Sequence, residues 1–309
     1  MENNQVYSMA RLESSDIVKD ATLFLMAYDG EERAYYSWKY LIEKGAKYEN
    51  VVILAYNEKH LRANIELTNS ISKNNGVIYN VPNEQIDFVA CIKKINFQNM
   101  KSIIIDISSM RTMHIFLLLK YLKLINCDNI TVINTIPYDY IFRNEPFLSY
   151  RSYVGDLELK EITGYSGRGE MSQDSDLYIF MGFEGTLSLK VVEDTAFKNL
   201  YLINTIPSYY QKYKDISVIN NYSVLQLKKN RVLHAPADNP FEVYNVLDSM
   251  ISKDKMVCIA PLSTKPISLG ICLYALAHEN VRVVYPVSNA YNDIKSHDVY
   301  ISYVYTINI

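Results

Sequence analysis

Residues 103–124 read Ile-Ile-Ile-Asp-Ile-Ser-Ser-Met-Arg-Thr-Met-His-Ile-Phe-Leu-Leu-Leu-Lys-Tyr-Leu-Lys-Leu. The first five residues are apolar apart from Asp106 and lack the period-two alternation of a half-solvated strand. A strand apolar on both faces belongs in a parallel sheet covered on both sides by helices. The polar step Ser108–Thr112 then leads into a mostly apolar segment, Met113 to about Ile125, of helical length. Strand, short loop and helix together make the leading half of a βαβ crossover.

The same grammar extends in both directions. Upstream lie a strand at Thr22–Ala27, a loop Tyr28-Asp-Gly-Glu-Glu32, and a helix carrying Tyr35, Trp38, Leu41 and Ile42. Strands at Val51–Tyr56 and Val77–Val81 follow, then a helix with Ile86, Val89, Ile92 and Ile95 on one stripe. Ile130–Asn134 closes the unit. The second half repeats the order, with strands at Leu177–Met181, Leu200–Asn204, Val232–Ala235, Met256–Ala260 and Val281–Tyr285. Asp238-Asn-Pro reads as an N-cap with proline just inside a helix bearing Phe241, Tyr244, Leu247 and Ile251. Leu187, Leu189 and Val191 alternate like a strand, yet Gly185-Thr186 and the repeat favour a helix there.

Some pairings are residue-specific. Ser109-Met-Arg111 stands opposite Ser263-Thr-Lys265, and Ile-Asn-Thr-Ile-Pro occurs at both 133–137 and 203–207, followed by Tyr140 and Tyr210. Val284-Tyr-Pro286 with Tyr291 is a looser third case. The sequence therefore predicts an α/β protein of two tandem Rossmann-like, doubly wound parallel-sheet units related by internal duplication. The expected division is 1–145 for the first unit, 146–175 for an insertion with a short hairpin and the linker, and 176–309 for the second. Asp298–Ile309 reads as an edge strand.

Charge and composition narrow the function classes. Lys+Arg number 31 against Asp+Glu 34, a net charge of -3, which excludes a generally basic binder of duplex DNA. The stretch Met1–Gln5 has no basic region followed by an apolar run, and no apolar stretch approaches the roughly 18 residues of a membrane span. Cys91, Cys127, Cys258 and Cys272 stand apart in apolar surroundings, and the histidines are scattered, so neither disulfides nor a metal is expected. A cytoplasmic protein without cofactor follows. The 27 tyrosines are the compositional oddity; most need no functional explanation, although Tyr140, Tyr210 and Tyr291 follow strand–proline endings where a base could stack.

In open α/β sheets ligands bind beyond the carboxyl ends of the strands, where helix N-termini converge. Four loops qualify, at 28–32, 108–112, 182–186 and 261–266. Ser108, Ser109, Ser263 and Thr264 place hydroxyls beside backbone N–H groups at helix starts, with Arg111 and Lys265 adjacent, an arrangement suited to phosphate. The same residues also serve as ordinary caps. Glu31, Glu32 and Glu184 open the first helix of each half, where they complement the helix dipole, contact ribose or do acid–base work; Asp29 lies in the same loop as Glu31, Asp106 ends a buried strand, and Gly182 opens the loop before Glu184. No Gly-x-x-x-x-Gly-Lys-Ser/Thr and no Gly-x-Gly-x-x-Gly occurs, so neither a P-loop nor a dinucleotide coenzyme is expected.

Asp106-Ile-Ser-Ser-Met-Arg111 and Pro261-Leu-Ser-Thr-Lys265-Pro resemble the signature loop of CARF domains and of the related SAVED domains of bacterial antiviral signalling. The resemblance covers most of the chain as architecture and some ten residues as motif; the second copy has Ala260 where an acid or amide would stand. It implies Rossmann-like sensing of cyclic oligonucleotides, with two fused copies making the composite cleft that CARF homodimers make by pairing. Ser109, Arg111, Ser263, Thr264 and Lys265 would hold phosphates, and Asp29, Glu31 and Glu184 would contact ribose or base between the halves. No Arg-x-x-x-x-His nuclease motif is present, so such a sensor implies an effector partner encoded nearby. One alternative is a nucleotide-processing enzyme, an N-glycosidase or phosphodiesterase using Glu184 or Glu31. Another is a scaffold subunit of a defence complex.

Overall fold

A computed structural model describes residues 8–15, 20–82, 84–97, 100–140, 152–169, 174–227, 230–288, 290–291 and 296–309. The reading of Met1–Gln5, and part of the expected insertion, lie outside these residues. The chain divides into two compact units: Met1–Ile141 with Ile294–Ile309, and Phe142–Asp293.

The first unit begins with β1 (Ser8–Arg11) and a single 3-10 turn. It continues through β2 (Asp20–Tyr28), α1 (Arg33–Glu43), β3 (Lys47–Ala55), α2 (Glu58–Ala63), α3 (Ile65–Lys73) and β4 (Val77–Asn80). Then come α4 (Gln85–Ile92), β5 (Ile103–Asp106), α5 (Thr112–Leu124) and β6 (Ile130–Tyr140). The second unit holds β7 (Tyr153–Val154), β8 (Glu158–Ser166), β9 (Asp176–Phe180), α6 (Gly185–Asp194), β10 (Asn199–Thr205), α7 (Gln211–Asn220) and α8 (Tyr222–Leu225). It ends with β11 (Asn230–Ala235), α9 (Pro240–Met250), β12 (Val257–Pro261), α10 (Lys265–Ala277), β13 (Val281–Val287) and β14 (Ala290–Tyr291). The last element of the chain, β15 (Ser296–Ile307), returns to the first unit.

The first sheet runs β1-β15-β6-β5-β2-β3-β4, and the second β11-β10-β9-β12-β13-β8. Strands β2 to β6 are parallel to one another, as are β9 to β13, and both sets have the doubly wound order in which the first strand lies centrally. Each sheet adds an antiparallel strand beside its fifth parallel one: β15 against β6, and β8 against β13. These are two Rossmann-like units.

Burial explains the apolar strands. All four residues of β5 and all five of β9 and β12 are buried. In the first core Phe24, Trp38 and Tyr48 pack with ring centroids 5.1–5.8 Å apart. Pro266–Leu276 of α10 are buried without exception, the pattern of a helix enclosed on all sides rather than one with a solvated face. Each fully buried leucine or isoleucine of this kind contributes roughly 1.5–3 kcal/mol.

Several expectations are corrected. β15 is not an edge: it pairs with β6 from Ser296 to Ile307 and with β1 on its other side, because β6 would otherwise expose a long ladder of unpaired amides. Within 146–175, β8 is no hairpin in a linker; it closes the second sheet against β13. The two Ile-Asn-Thr-Ile-Pro stretches occupy different positions, one in β6 and the other in β10 and the turn after it. On α4 the inward side chains are Gln85, Phe88, Cys91 and Ile92, while Ile86 is 79% exposed, since Phe88 claims the place against the core and sets the phase of the helix. The 185–194 segment is a helix, in keeping with Gly185-Thr186 rather than with its period-two alternation.

Candidate functional site

From β2 the chain crosses to β3 on one side, and from β5 to β6 on the other, so the carboxyl ends of β2 and β5 flank the topological switch point of the first unit. Two loops meet there. The loop after β2 turns at Gly30, whose φ of +106° is a left-handed conformation favouring glycine; a Cβ would stand 2.6 Å from His60 Nδ1. Glu31 N donates to Asp29 Oδ1 at 3.1 Å, and His60 Nδ1 lies 2.8 Å from the Asp29 carbonyl oxygen.

The loop after β5 is stitched to its neighbours by the residues picked out from the sequence. Ser108 N donates to Asp106 Oδ1 at 2.8 Å, and Ser37 of α1 donates to Oδ2 of the same carboxylate. Thr135 N donates to Ser108 Oγ at 2.7 Å, and Ser109 Oγ donates to the Ala27 carbonyl at 2.8 Å. Asp106, Ser108 and Ser109 are all buried. Burial raises the Asp106 carboxyl from 3.8 to about 6, against the lowering effect of hydrogen bonds from Ser108 and Ser37.

Arg111 occupies the position just before α5 and makes no side-chain cap there. Its backbone N–H donates to Tyr56 Oη at 3.0 Å, and its guanidinium carbon lies 4.5 Å from the Tyr56 ring centroid. Beneath Tyr56 lies His114, with Nδ1 2.8 Å from Oη, and beneath His114 lies Phe88, the two rings nearly parallel at 3.9 Å. Arg111 therefore sits at the head of a stacked column. Burial pushes the Tyr56 phenol up, and the Arg111 charge partly opposes it.

A second polar group lies at the end of β2. Glu31 is 5% exposed and Arg33 9% exposed. Arg33 Nε and Ser296 Oγ each donate to Glu31 Oε2 at 2.5 Å, whereas Glu31 Oε1 has no partner among the described residues. The Arg33 guanidinium lies 5.6 Å from the Tyr140 ring centroid. Burial acts to lower the Arg33 pKa, but Glu31, Tyr140 and Asp29 outweigh it and hold the guanidinium charged. The Asp29 carboxyl rises from 3.8 to about 6 through burial and then the charge of Glu31, with Arg33 opposing. The β2 side of the switch point thus carries the Asp29 and Glu31 carboxyls with Arg33 beside them, and the β5 side carries Asp106 and Arg111.

In the second unit the corresponding loops follow β9 and β12. Gly182 is required by proximity: a Cβ would stand 2.0 Å from the Leu262 carbonyl oxygen. Asn221 Nδ2 donates to the Gly182 carbonyl at 2.9 Å, and Asn220 Nδ2 to that of Phe183 at 2.6 Å. Glu184 precedes α6 without capping it and accepts from Ser152 N at 2.8 Å through Oε2. Ser263 Oγ lies 2.9 Å from Thr205 Oγ1. Thr264 caps α10, accepting from Ile267 N at 3.4 Å and donating to the Ala237 carbonyl at 2.6 Å. Lys265 is the first residue of the helix.

The structure therefore gathers Asp29, Glu31, Asp106, Ser108, Ser109 and Arg111 at one switch point, and Gly182, Glu184, Ser263, Thr264 and Lys265 at the equivalent loops of the other unit. The one-to-one pairing of Ser109-Met-Arg111 with Ser263-Thr-Lys265 is displaced by a residue: Arg111 precedes its helix, and Lys265 lies inside its own. All four hydroxyls put forward for phosphate, those of Ser108, Ser109, Ser263 and Thr264, also hold the loops to neighbouring strands and turns. Arg33, Ser37, Tyr56 and Ser296 escaped the sequence reading. Arg33 carried a faint signal as a cation two residues after Glu31; the other three come from elements that only the fold brings near. Tyr210 meets Tyr213 edge-on, and Tyr291 accepts from Ser288 N.

Among the described residues no group of three or more His, Cys, Asp or Glu side chains could hold a metal ion, and no helix is long and apolar enough to cross a membrane. The four cysteines are free and buried. No family model matches the sequence, and no curated protein matches it. By structure the chain is similar to a Type III CRISPR defence DNA nuclease activated by cyclic oligoadenylate, with a TM-score of 0.51 at 9% identity. The similarity covers 84% of this chain and 64% of the nuclease, so the chain spans less than two thirds of that protein's length. At this identity the likeness is one of fold. The cytoplasmic domain of a prokaryotic cation chloride cotransporter aligns at a TM-score of 0.29 and 8% identity, over 87% of this chain and 96% of that one. A universal stress protein from Archaeoglobus fulgidus aligns at 0.26 and 10%, over 90% and 100%.

Proposed function

We propose that this chain is a ligand-sensing protein of bacterial anti-phage defence. It binds a nucleotide or cyclic oligonucleotide through the loops at its switch points and acts through a partner effector. The observation that carries the reading is Arg111, a cation held over Tyr56 at the start of a buried helix, on the loop that resembles the CARF signature. The helix dipole and the guanidinium together favour an anion at that position. Lys265 at the head of α10 supplies the like charge in the second unit. The fold shared with a nuclease activated by cyclic oligoadenylate supports the choice of ligand class. The common strand order of the two sheets supports an origin by duplication.

The test is calorimetry of the purified chain with cyclic di-, tri-, tetra- and hexa-adenylates, alongside mass spectrometry of each nucleotide after incubation. Heat with at least one ligand, lost in Arg111→Ala and with the nucleotide recovered intact, is the expected result. No heat with any of them from folded protein overturns the reading, and a cleaved nucleotide moves the assignment to an enzyme.

A further inference from the structure

The chain passes between its two units twice. It leaves the first beyond β6, whose last residue is Tyr140, and returns at β15, whose first residue is Ser296. Tyr140 and Ser296 are partners across the antiparallel ladder. Both are held by side chains that follow β2, Glu31 in the loop and Arg33 at the start of α1. Ser296 Oγ donates to Glu31 Oε2, Arg33 Nε donates to the same oxygen, and Arg33 contacts the Tyr140 ring and hydrogen-bonds the tyrosine side chain.

We propose that Glu31 and Arg33 form a clamp that couples occupancy of the first unit's switch point to both chain crossings. It rests on the binding reading for its occupant, but the clamp itself is a property of the free protein. Glu31 and Arg33 are almost out of water, so their charges depend on each other and on few competing donors. One oxygen of the carboxylate carries both contacts, and the other has none among the described residues. Glu31 Oε1 is buried, so the route to the clamp runs through Arg33, whose side chain keeps 10% exposure. A ligand phosphate drawing Arg33 toward itself withdraws it from Tyr140 and from Glu31 Oε2. That loosens the two strand ends where the chain changes unit, and that is how an occupant would be felt beyond the site.

Hydrogen exchange of the full chain without ligand tests the clamp. Ser296→Ala and Glu31→Gln are each expected to raise exchange about tenfold at residues 138–140 and 297–301, leaving β5 unchanged, while Ser296→Thr, which keeps the hydroxyl, behaves as wild type. Should Glu31→Gln fold poorly, Arg33→Lys takes its place, since it retains a charge for Glu31 and loses the flat face over Tyr140. Unchanged exchange at both segments in Ser296→Ala, or tenfold changes spread equally into β5, overturns the clamp. A second arm adds the cyclic adenylate that gives heat in calorimetry. Exchange at both segments rises in wild type and rises no further in Ser296→Ala; a bound adenylate that leaves the segments unaltered overturns the coupling. If none binds, the binding reading and the coupling fall together, and the ligand-free arm still decides the clamp.

Discussion

Asp106 is the only polar residue of β5 and is buried. Its folded carboxyl titrates near 6 rather than 3.8, so between those values the native state holds a proton that the unfolded chain has released. Stability from this group is therefore full below about pH 4 and lost as pH rises through 6, an effect of about 3 kcal/mol. Asp106→Asn removes the titration, and urea unfolding from pH 4 to 7.5 is expected to show a flatter profile than wild type across that window; parallel curves would sink the argument. Gly182 makes a steric prediction. A methyl group there collides with the Leu262 carbonyl, and Gly182→Ala is expected to cost about 3 kcal/mol, read as a lowered urea midpoint. At this scale the sequence disclosed identity without environment. Asp106 stands out in residues 103–107 because it interrupts an apolar strand. Arg33 does not, because a basic residue at a helix start looks solvated until Glu31, Tyr140 and Ser296 are brought around it.

At the level of single elements, the two helices that follow the central loops start differently. Thr264 caps α10, whereas Arg111 precedes α5 with no cap from its side chain. Thr264→Ala removes the cap and one bond to the Ala237 carbonyl, which still accepts from Tyr209 Oη at 3.0 Å. The expected loss is about 1–2 kcal/mol in thermal or urea unfolding. Arg111→Ser runs the other way: a serine gains a cap of about 1 kcal/mol while the contact over Tyr56, worth about 0.5–1 kcal/mol, is lost. Stability should move little, and anion binding should fall at least tenfold, so the variant separates a binding residue from a structural one. A large drop in Tm with binding intact would assign Arg111 to structure. Elements of this kind were legible where apolar length and caps agree, as in β5, α5, α9 and α10. The phase of α4 was not, because Ile86 and Phe88 both fit a helical period and only packing against His114 decides which turns inward. The one-residue shift between the Arg111 and Lys265 loops was hidden for a like reason, since helix starts are set by capping geometry rather than by the order Ser-x-basic.

At the scale of the whole chain, the repeated strand–helix alternation was enough to specify two doubly wound sheets, because strands apolar on both faces have few other ways to be covered. What it could not specify was which sheet takes the strands outside the repeat. β8 and β15 have the mixed patterning of antiparallel strands near a sheet margin, and local sequence says nothing about a partner more than a hundred residues away. The consequence is a first unit that is discontinuous in sequence. Its β6 depends on β15, which pairs with it from Ser296 to Ile307 and carries β1 on its far side. Removing residues 294–309 should therefore unfold the first unit, although the cut lies at the opposite end of the chain. An isolated 1–141 fragment should fail for the same reason, because it presents β6 as a long uncovered edge. The 142–293 fragment keeps all six strands of its sheet together with their helices and should fold cooperatively by itself. Circular dichroism and limited proteolysis of the three truncations check this. A well-folded 1–141 fragment would mean that β15 merely decorates a sheet already complete, and adding a 294–309 peptide to that fragment should then produce no further protection; if the topology governs stability as argued, the peptide restores protection to β6 and β1 together.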